Sequence, residues 1–174
     1  MGLLSRSRTA LVVVDVQEGF RSYDTFAEVA AGCAKLLEAA RILGLHTLVS
    51  EQYPKGLGGT VPELGELPSA PIEKTVFSAV RAPGFDLKGC DQVLVCGIEA
   101  HVCVSQTVND LLNRGNEVHV PADAVGSRHE LDYRYGLDRM RRAGAVVTSV
   151  EAALFELLER AGTPEFKAVQ KLIV

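Results

Sequence analysis

Residues 92–115, QVLVCGIEAHVCVSQTVNDLLNRG, carry the pattern on which the fold reading turns. Gln92 to Cys96 reads as a strand buried on both faces, closed by Gly97. Val104, Val108, Leu111 and Leu112 then recur at three- and four-residue steps and mark a helix stopped by Gly115. A strand, a turn and a helix of this kind make half of a βαβ unit, and Glu117 to Val120 supplies the next strand.

The same alternation extends in both directions. Upstream, Ala10 to Val14 is a continuous apolar run ending at Asp15. Phe26, Val29, Ala30, Cys33, Leu36, Leu37 and Ala40 follow as one helix face, stopped by Gly44, and His46 to Ser50 reads as the second strand. Residues 51–72 are rich in Gly and Pro and predict a long loop, a feature often tied to function. Glu73 to Phe77 reads as a short third strand. Downstream, Tyr133, Leu137 and Met140 suggest a helix ended by Gly144, and Ala145 to Val150 the last strand. Ala153, Leu154, Leu157, Leu158 and Ala161 trace a final long helix ended by Gly162. The tail from Pro164 has Phe166, Val169 and Leu172 at helical spacing, suited to docking on the core or on another subunit. Glycine adopts the left-handed helix cap without steric cost, so four helices ending in Gly are coherent. The expected class is α/β with a mainly parallel sheet, in one domain spanning 1–174.

Composition excludes several classes. The chain has 174 residues, 47% of them hydrophobic and 23% charged, within the globular range. Its 18 basic and 22 acidic residues leave a net charge of −4, which argues against nucleic-acid or anionic-membrane partners. No apolar run reaches the roughly 18–20 residues of a membrane span, and MGLLSR places Ser5 one position early for myristoylation. Cys33, Cys90, Cys96 and Cys103 form no CxxC pair, so reduced thiols and a cytoplasmic location are expected. Neither GxGxxG nor GxxxxGK[ST] occurs, and the GLGG at 56–59 lies in the long loop, so nucleotide binding is not indicated.

In open parallel sheets ligands collect beyond the carboxyl ends of the strands. Asp15 ends the first strand, and Cys103 lies on the turn from the 92–96 strand into its helix. A place in the first helical turn would favour thiolate over thiol. Lys74, in the short third strand, is able to supply an orienting cation. Taken alone, each has a plainer reading: a turn cap, a surface lysine, an inert core thiol. Cys33 and Cys96 fall on core positions, and Cys90 reads as an exposed thiol. His101, two residues from Cys103, is better suited to lining a pocket than to acting as base. His46, His119 and His129 share no ligand spacing.

Four ordered segments together resemble the isochorismatase-like cysteine hydrolases, a superfamily that includes nicotinamidases and N-carbamoylsarcosine amidase. They are TALVVVDVQEGF at 9–20, KTVFSA at 74–79, VLVCGIEAHVCVSQTVNDLLNRG at 93–115 and VPADAVGSR at 120–128. SEQYPKGLGGTVPEL at 50–64 looks most like the isochorismatase-domain branch. The resemblance implies a three-layer α/β/α fold with a six-stranded, mainly parallel, Rossmann-type sheet. It implies a catalytic triad of Asp15, Lys74 and Cys103, and a cis peptide at Ile98–Glu99. That bond would aim the Glu99 N–H, with that of Cys103, at an oxyanion. Phe20 and Phe77 are candidate pocket walls, and Glu99 and His101 candidate substrate contacts. Nicotinamidases carry an Asp-x-His metal motif where this chain has Glu51-Gln52-Tyr53, so no metal and no other cofactor is expected. Isochorismatases proper usually lack the nucleophilic cysteine, so Cys103 points to small amide, carbamoyl or imide-like substrates.

The reading is therefore a metal-independent cysteine hydrolase, with a small-molecule substrate, working as a homo-oligomer of two or more chains. A non-catalytic scaffold of the same fold and a thiol redox sensor are the rivals. A hydrolase predicts one low-pKa thiol at Cys103, whose reactivity falls on Asp15→Asn or Lys74→Ala.

Overall fold

The computed structural model describes residues 2–174. The fully buried run Thr9–Val14 forms β1, and the helix Phe26–Leu43 (α1) lays Val29, Cys33, Leu36 and Ala40 against the core. Gly44, left-handed at φ 70°, caps α1 and leads into β2, His46–Gln52. A single helical turn at Pro54–Leu57 (α2) and a 3-10 turn at Pro62–Leu64 interrupt the segment expected as loop. The third strand, β3, is only Ile72–Lys74, because residues 75–77 bend away instead of extending the strand to Phe77.

The fourth strand, β4, runs Gln92–Ile98, two residues beyond the expected stop. Gly97 lies inside it at φ 119°, and a Cβ there would sit 2.0 Å from the Val14 carbonyl oxygen. The glycine is thus required by close approach of β4 to the end of β1. A π-helical turn at Ala100–Val104, closed by Val104 N–H donating to Glu99 O at 3.1 Å, precedes α3 (Ser105–Asn113). Then come β5 (Glu117–Pro121), β6 (Val125–Gly126), α4 (Glu130–Ala143) and β7 (Val146–Thr148). The last expected strand is cut short because Ser149 turns the chain into α5, Val150–Leu158, its hydroxyl accepting from the Ala152 N–H. That helix ends at Leu158, capped by Glu159 and not by Gly162, and the tail folds as α6, Pro164–Ile173. Thr163 caps α6, Val169 is fully buried, and Phe166 packs on Phe155 with ring centroids 6.2 Å apart.

All pairings in the main sheet are parallel, in the order β3-β2-β1-β4-β5-β7. The seventh strand is β6. Where β5 pairs with β4 only as far as Leu94 and His119, β6 takes its place beside Gly97 and Ile98. Helices α1, α5 and α6 pack together, as do α3 and α4, and the sheet lies between the two groups. One continuous apolar cluster joins the layers. After β3 the chain crosses back over β1 to β4, so the order reverses between β1 and β4, where a doubly wound sheet opens a crevice at its carboxyl edge.

Candidate active site

Strand register brings the site residues to one level. Val14 pairs with Ser50 and Gly97, and Gln52 pairs with Lys74. Asp15, the next residue on β1, turns left-handed at φ 53°, a conformation that aspartate tolerates better than most residues. Residues held in this region cluster at functional sites. Its carboxylate is fully buried, accepting the Ser50 hydroxyl at 2.7 Å on one oxygen and the Lys74 ammonium at 2.7 Å on the other.

Lys74 is 4% exposed and fully engaged. Beside Asp15 it donates to Gln52 Oε1 at 2.7 Å and to the Phe77 carbonyl at 2.9 Å. An ammonium has three N–H donors, and all three are taken. Cys103 is 6% exposed, and its sulfur lies 4.0 Å from Gln52 Oε1. It sits in the π-helical turn before α3, not in the first turn of the helix proper. The expectation of a low-pKa thiol is overturned. Burial, and then the Asp15 carboxylate, push the Cys103 thiol up to about 12, against an opposing pull from Lys74. A thiolate there would lose its hydration and face a neighbouring negative charge.

The remaining expected residues divide. The peptide Ile98–Glu99 is cis, where the resemblance places it. Glu99 accepts the Arg128 N–H at 3.3 Å and lies near Tyr23, whose phenol is held above its usual value by burial and by that carboxylate. His101 Nδ1 is 3.0 Å from the Ser127 hydroxyl, on the edge of a cavity of about 390 Å³ lined by Thr25, Asp123, Ser127, Arg128 and Tyr133. Phe20 is buried in the core, its ring packed on Tyr23 with centroids 5.4 Å apart. Phe77 turns its ring outward, half exposed, and meets Lys74 through its backbone carbonyl instead. Cys96 is buried against Cys33, and Cys90 is partly buried rather than exposed.

Three contributors escaped the sequence reading. Ser50 and Gln52 share one face of β2 by its period of two, so two polar residues ending an apolar strand were the available signal. Gln17, fully buried, clamps Gln52 from both sides. It accepts the Gln52 N–H at 2.7 Å and donates to the carbonyls of Gln52 at 3.0 Å and Gly58 at 2.7 Å. Glu51 is occupied by the Thr60 N–H and hydroxyl. Among the described residues, no three His, Cys, Asp or Glu side chains are grouped to hold a metal ion.

Residues 9–152 match the family model described as Isochorismatase domain. The chain belongs to the isochorismatase domain family. Isochorismatase domain-containing protein 2 of Danio rerio is 43% identical over 178 residues, covering 99% of this chain and 90% of that one. Among solved structures, MAR1 ribonuclease from Caenorhabditis elegans superposes with a TM-score of 0.94 at 46% identity, covering 99% of this chain and 92% of that one. YcaC from Pseudomonas aeruginosa, solved with hexane-2,5-diol and covalent acrylamide, superposes with a TM-score of 0.82 at 26% identity, covering 98% and 91%. Isochorismatase-domain proteins are in general hydrolases. No helix among the described residues is long and apolar enough to cross a membrane.

Proposed function

We propose that this chain is a cysteine hydrolase of a small amide, carbamoyl or imide-like substrate, with Cys103 as nucleophile, Asp15 as proton acceptor and donor, and Lys74 as orienting cation. The observation that carries it is the buried Asp15–Lys74 pair beside Cys103 at the switch point of the sheet. A buried ion pair is weak support for stability, so a chain that keeps one beside a thiol has a use for it in chemistry.

Burial and the Asp15 carboxylate hold the Cys103 thiol up, so attack and deprotonation are assigned to one event. The Cys103 sulfur bonds to the substrate carbonyl carbon while its proton passes to Asp15, and the carbonyl electron pair moves onto oxygen. That oxyanion is assigned to the backbone N–H groups of Glu99 and Cys103. Collapse breaks the C–N bond, Asp15 returns its proton to the leaving nitrogen, and a thioester is left on Cys103. Water adds to the thioester with Asp15 again as base, releasing the acid and the thiol. Glu99 and His101, on the side of the Arg128 cavity, are assigned to substrate contact, together with the Phe77 backbone.

The test is a panel of small amides, ureas and cyclic imides, with intact-mass detection of an acyl adduct. The reading expects turnover by the parent chain, an adduct on the Cys103 peptide, and loss of both on Cys103→Ala. A full panel with neither turnover nor adduct would return the chain to the scaffold reading. The Pseudomonas relative was solved with covalent acrylamide, an electrophile that thiols attack, and a nucleophilic Cys103 in this chain accords with that. A second reading, RNA hydrolysis, is favoured by the name of the C. elegans relative at 46% identity and opposed by the net charge of −4. Incubation with single-stranded RNA beside the amide panel separates the two.

A further inference from the structure

We propose that Gln52 is a positioning residue that keeps Cys103 in its thiol form by occupying Lys74 and by presenting an acceptor to the sulfur. The inference deepens the hydrolase reading and rests on it for its purpose, although its test reads the sulfur alone.

The orientation of the Gln52 amide is fixed by its neighbours. Lys74 is only a donor and the Thr75 carbonyl only an acceptor, so Oε1 faces the ammonium at 2.7 Å and Nε2 donates to Thr75 at 3.1 Å. The same Oε1 lies 4.0 Å from the Cys103 sulfur. A carbonyl oxygen accepts from S–H but meets a thiolate with the negative end of its dipole, which disfavours ionisation. Gln52 also takes one of the three Lys74 protons, while Asp15 and the Phe77 carbonyl take the others. Lys74 still pulls the thiol down, but that pull is shared with three hydrogen-bonded oxygens and is outweighed by burial and the Asp15 carboxylate. The charged groups that act on the sulfur are Asp15, just past β1, and Lys74 on β3, and Gln52 on β2 touches both Lys74 and the sulfur. Its backbone is clamped by Gln17, and its side chain is held at both ends of the amide by Lys74 and the Thr75 carbonyl.

The consequence is a guarded nucleophile. Oxidants and stray electrophiles meet a thiol, and the sulfur is activated only when a bound substrate offers its carbonyl and Asp15 takes the proton.

Iodoacetamide alkylation of each cysteine, followed against pH by peptide mass spectrometry, tests this with two variants of opposite sign. Gln52→Met keeps the length of the side chain, removes the acceptor and frees one Lys74 proton. It is expected to alkylate at Cys103 about tenfold faster than the parent at pH 8, the effect of one pKa unit. Gln52→Glu sets a further negative charge beside the sulfur and is expected to alkylate severalfold more slowly at pH 9. General loosening of the site would speed both variants. Movement in the same direction, or a change below twofold in either, overturns the proposal. Hydrolysis is assayed on the same preparations. An active parent with unmoved profiles sinks this role for Gln52 alone, whereas moved profiles in an inactive chain sink only the hydrolase reading.

Discussion

Cys103 shows how far residue type and position together leave chemistry undecided. A cysteine near a helix start suggests a thiolate, but six-hundredths exposure and the Asp15 carboxylate reverse the sign. Alkylation of Cys103 in the parent chain should therefore climb steeply above pH 9 and show no plateau below pH 7. Asp15→Asn removes the charge that raises the thiol while leaving Lys74 in place. It should alkylate faster than the parent at pH 8 and yet lose hydrolysis. Lys74→Met removes the opposing pull and should alkylate more slowly, so the two variants part in sign where a preformed thiolate would have them fall together. Stability separates them too. Lys74→Met strands a fully buried carboxylate, and urea denaturation should show a loss of about 3–5 kcal/mol, largely recovered in the Asp15→Asn/Lys74→Met double variant.

Elements were legible in the sequence wherever an apolar face was long enough to have a period. Strand β1 and helices α1 and α4 stand close to where their patterns put them. Short elements were legible only in part: the third strand was read at Glu73–Phe77 where β3 is Ile72–Lys74, and the two-residue β6 was missed, too short for a period to declare itself. Of the candidate site, Asp15 was singled out because it ends a readable strand, Cys103 because it follows one, and Lys74 as a cation within the short third strand. Gln17, Ser50 and Gln52 were missed, since a buried glutamine looks like any surface glutamine until register places it. Glycine stops illustrate the same limit. Gly44 and Gly144 cap helices, whereas Gly97 sits within a strand. Gly97→Ala should cost more than about 4 kcal/mol and yield little soluble protein, since its Cβ would meet backbone. Gly44→Ala, left-handed but in open space, should cost about 1–2 kcal/mol by thermal melting.

At the scale of the whole molecule, two buried side chains among the described residues leave polar atoms without a partner, the Ser78 hydroxyl and the His119 ring, and only the ring titrates near neutral pH. His119, in the middle of the sheet, has neither ring nitrogen hydrogen-bonded, and burial holds its pKa below the usual 6.5. The unfolded chain takes up that proton as pH falls through 6.5 while the folded chain resists it. The unfolded state then binds more protons, and stability falls with pH. Melting temperature should begin to drop between pH 6.5 and about pH 5.5, above the range where the carboxylates titrate, and His119→Leu should flatten that early decline. Self-association is expected as well. Tyr53, Phe77, Leu131 and Tyr135 stay largely exposed on the isolated chain, and light scattering should return a mass of two or more times 18.7 kDa.

The long segment between β2 and β3 hangs from fixed points near its start. Gln17 grips it at Gln52 and Gly58, and the Val16 carbonyl accepts the Val61 N–H at 3.1 Å. The ion pair at Asp15 and Lys74 is thereby insulated from most of what happens between residues 62 and 71. Within that stretch Leu64 and the Arg21–Glu63 pair tie the 3-10 turn to the body, which leaves residues 65–71 as the ground where lineages can lengthen, shorten or rewrite the chain and inherit the buried machinery unchanged.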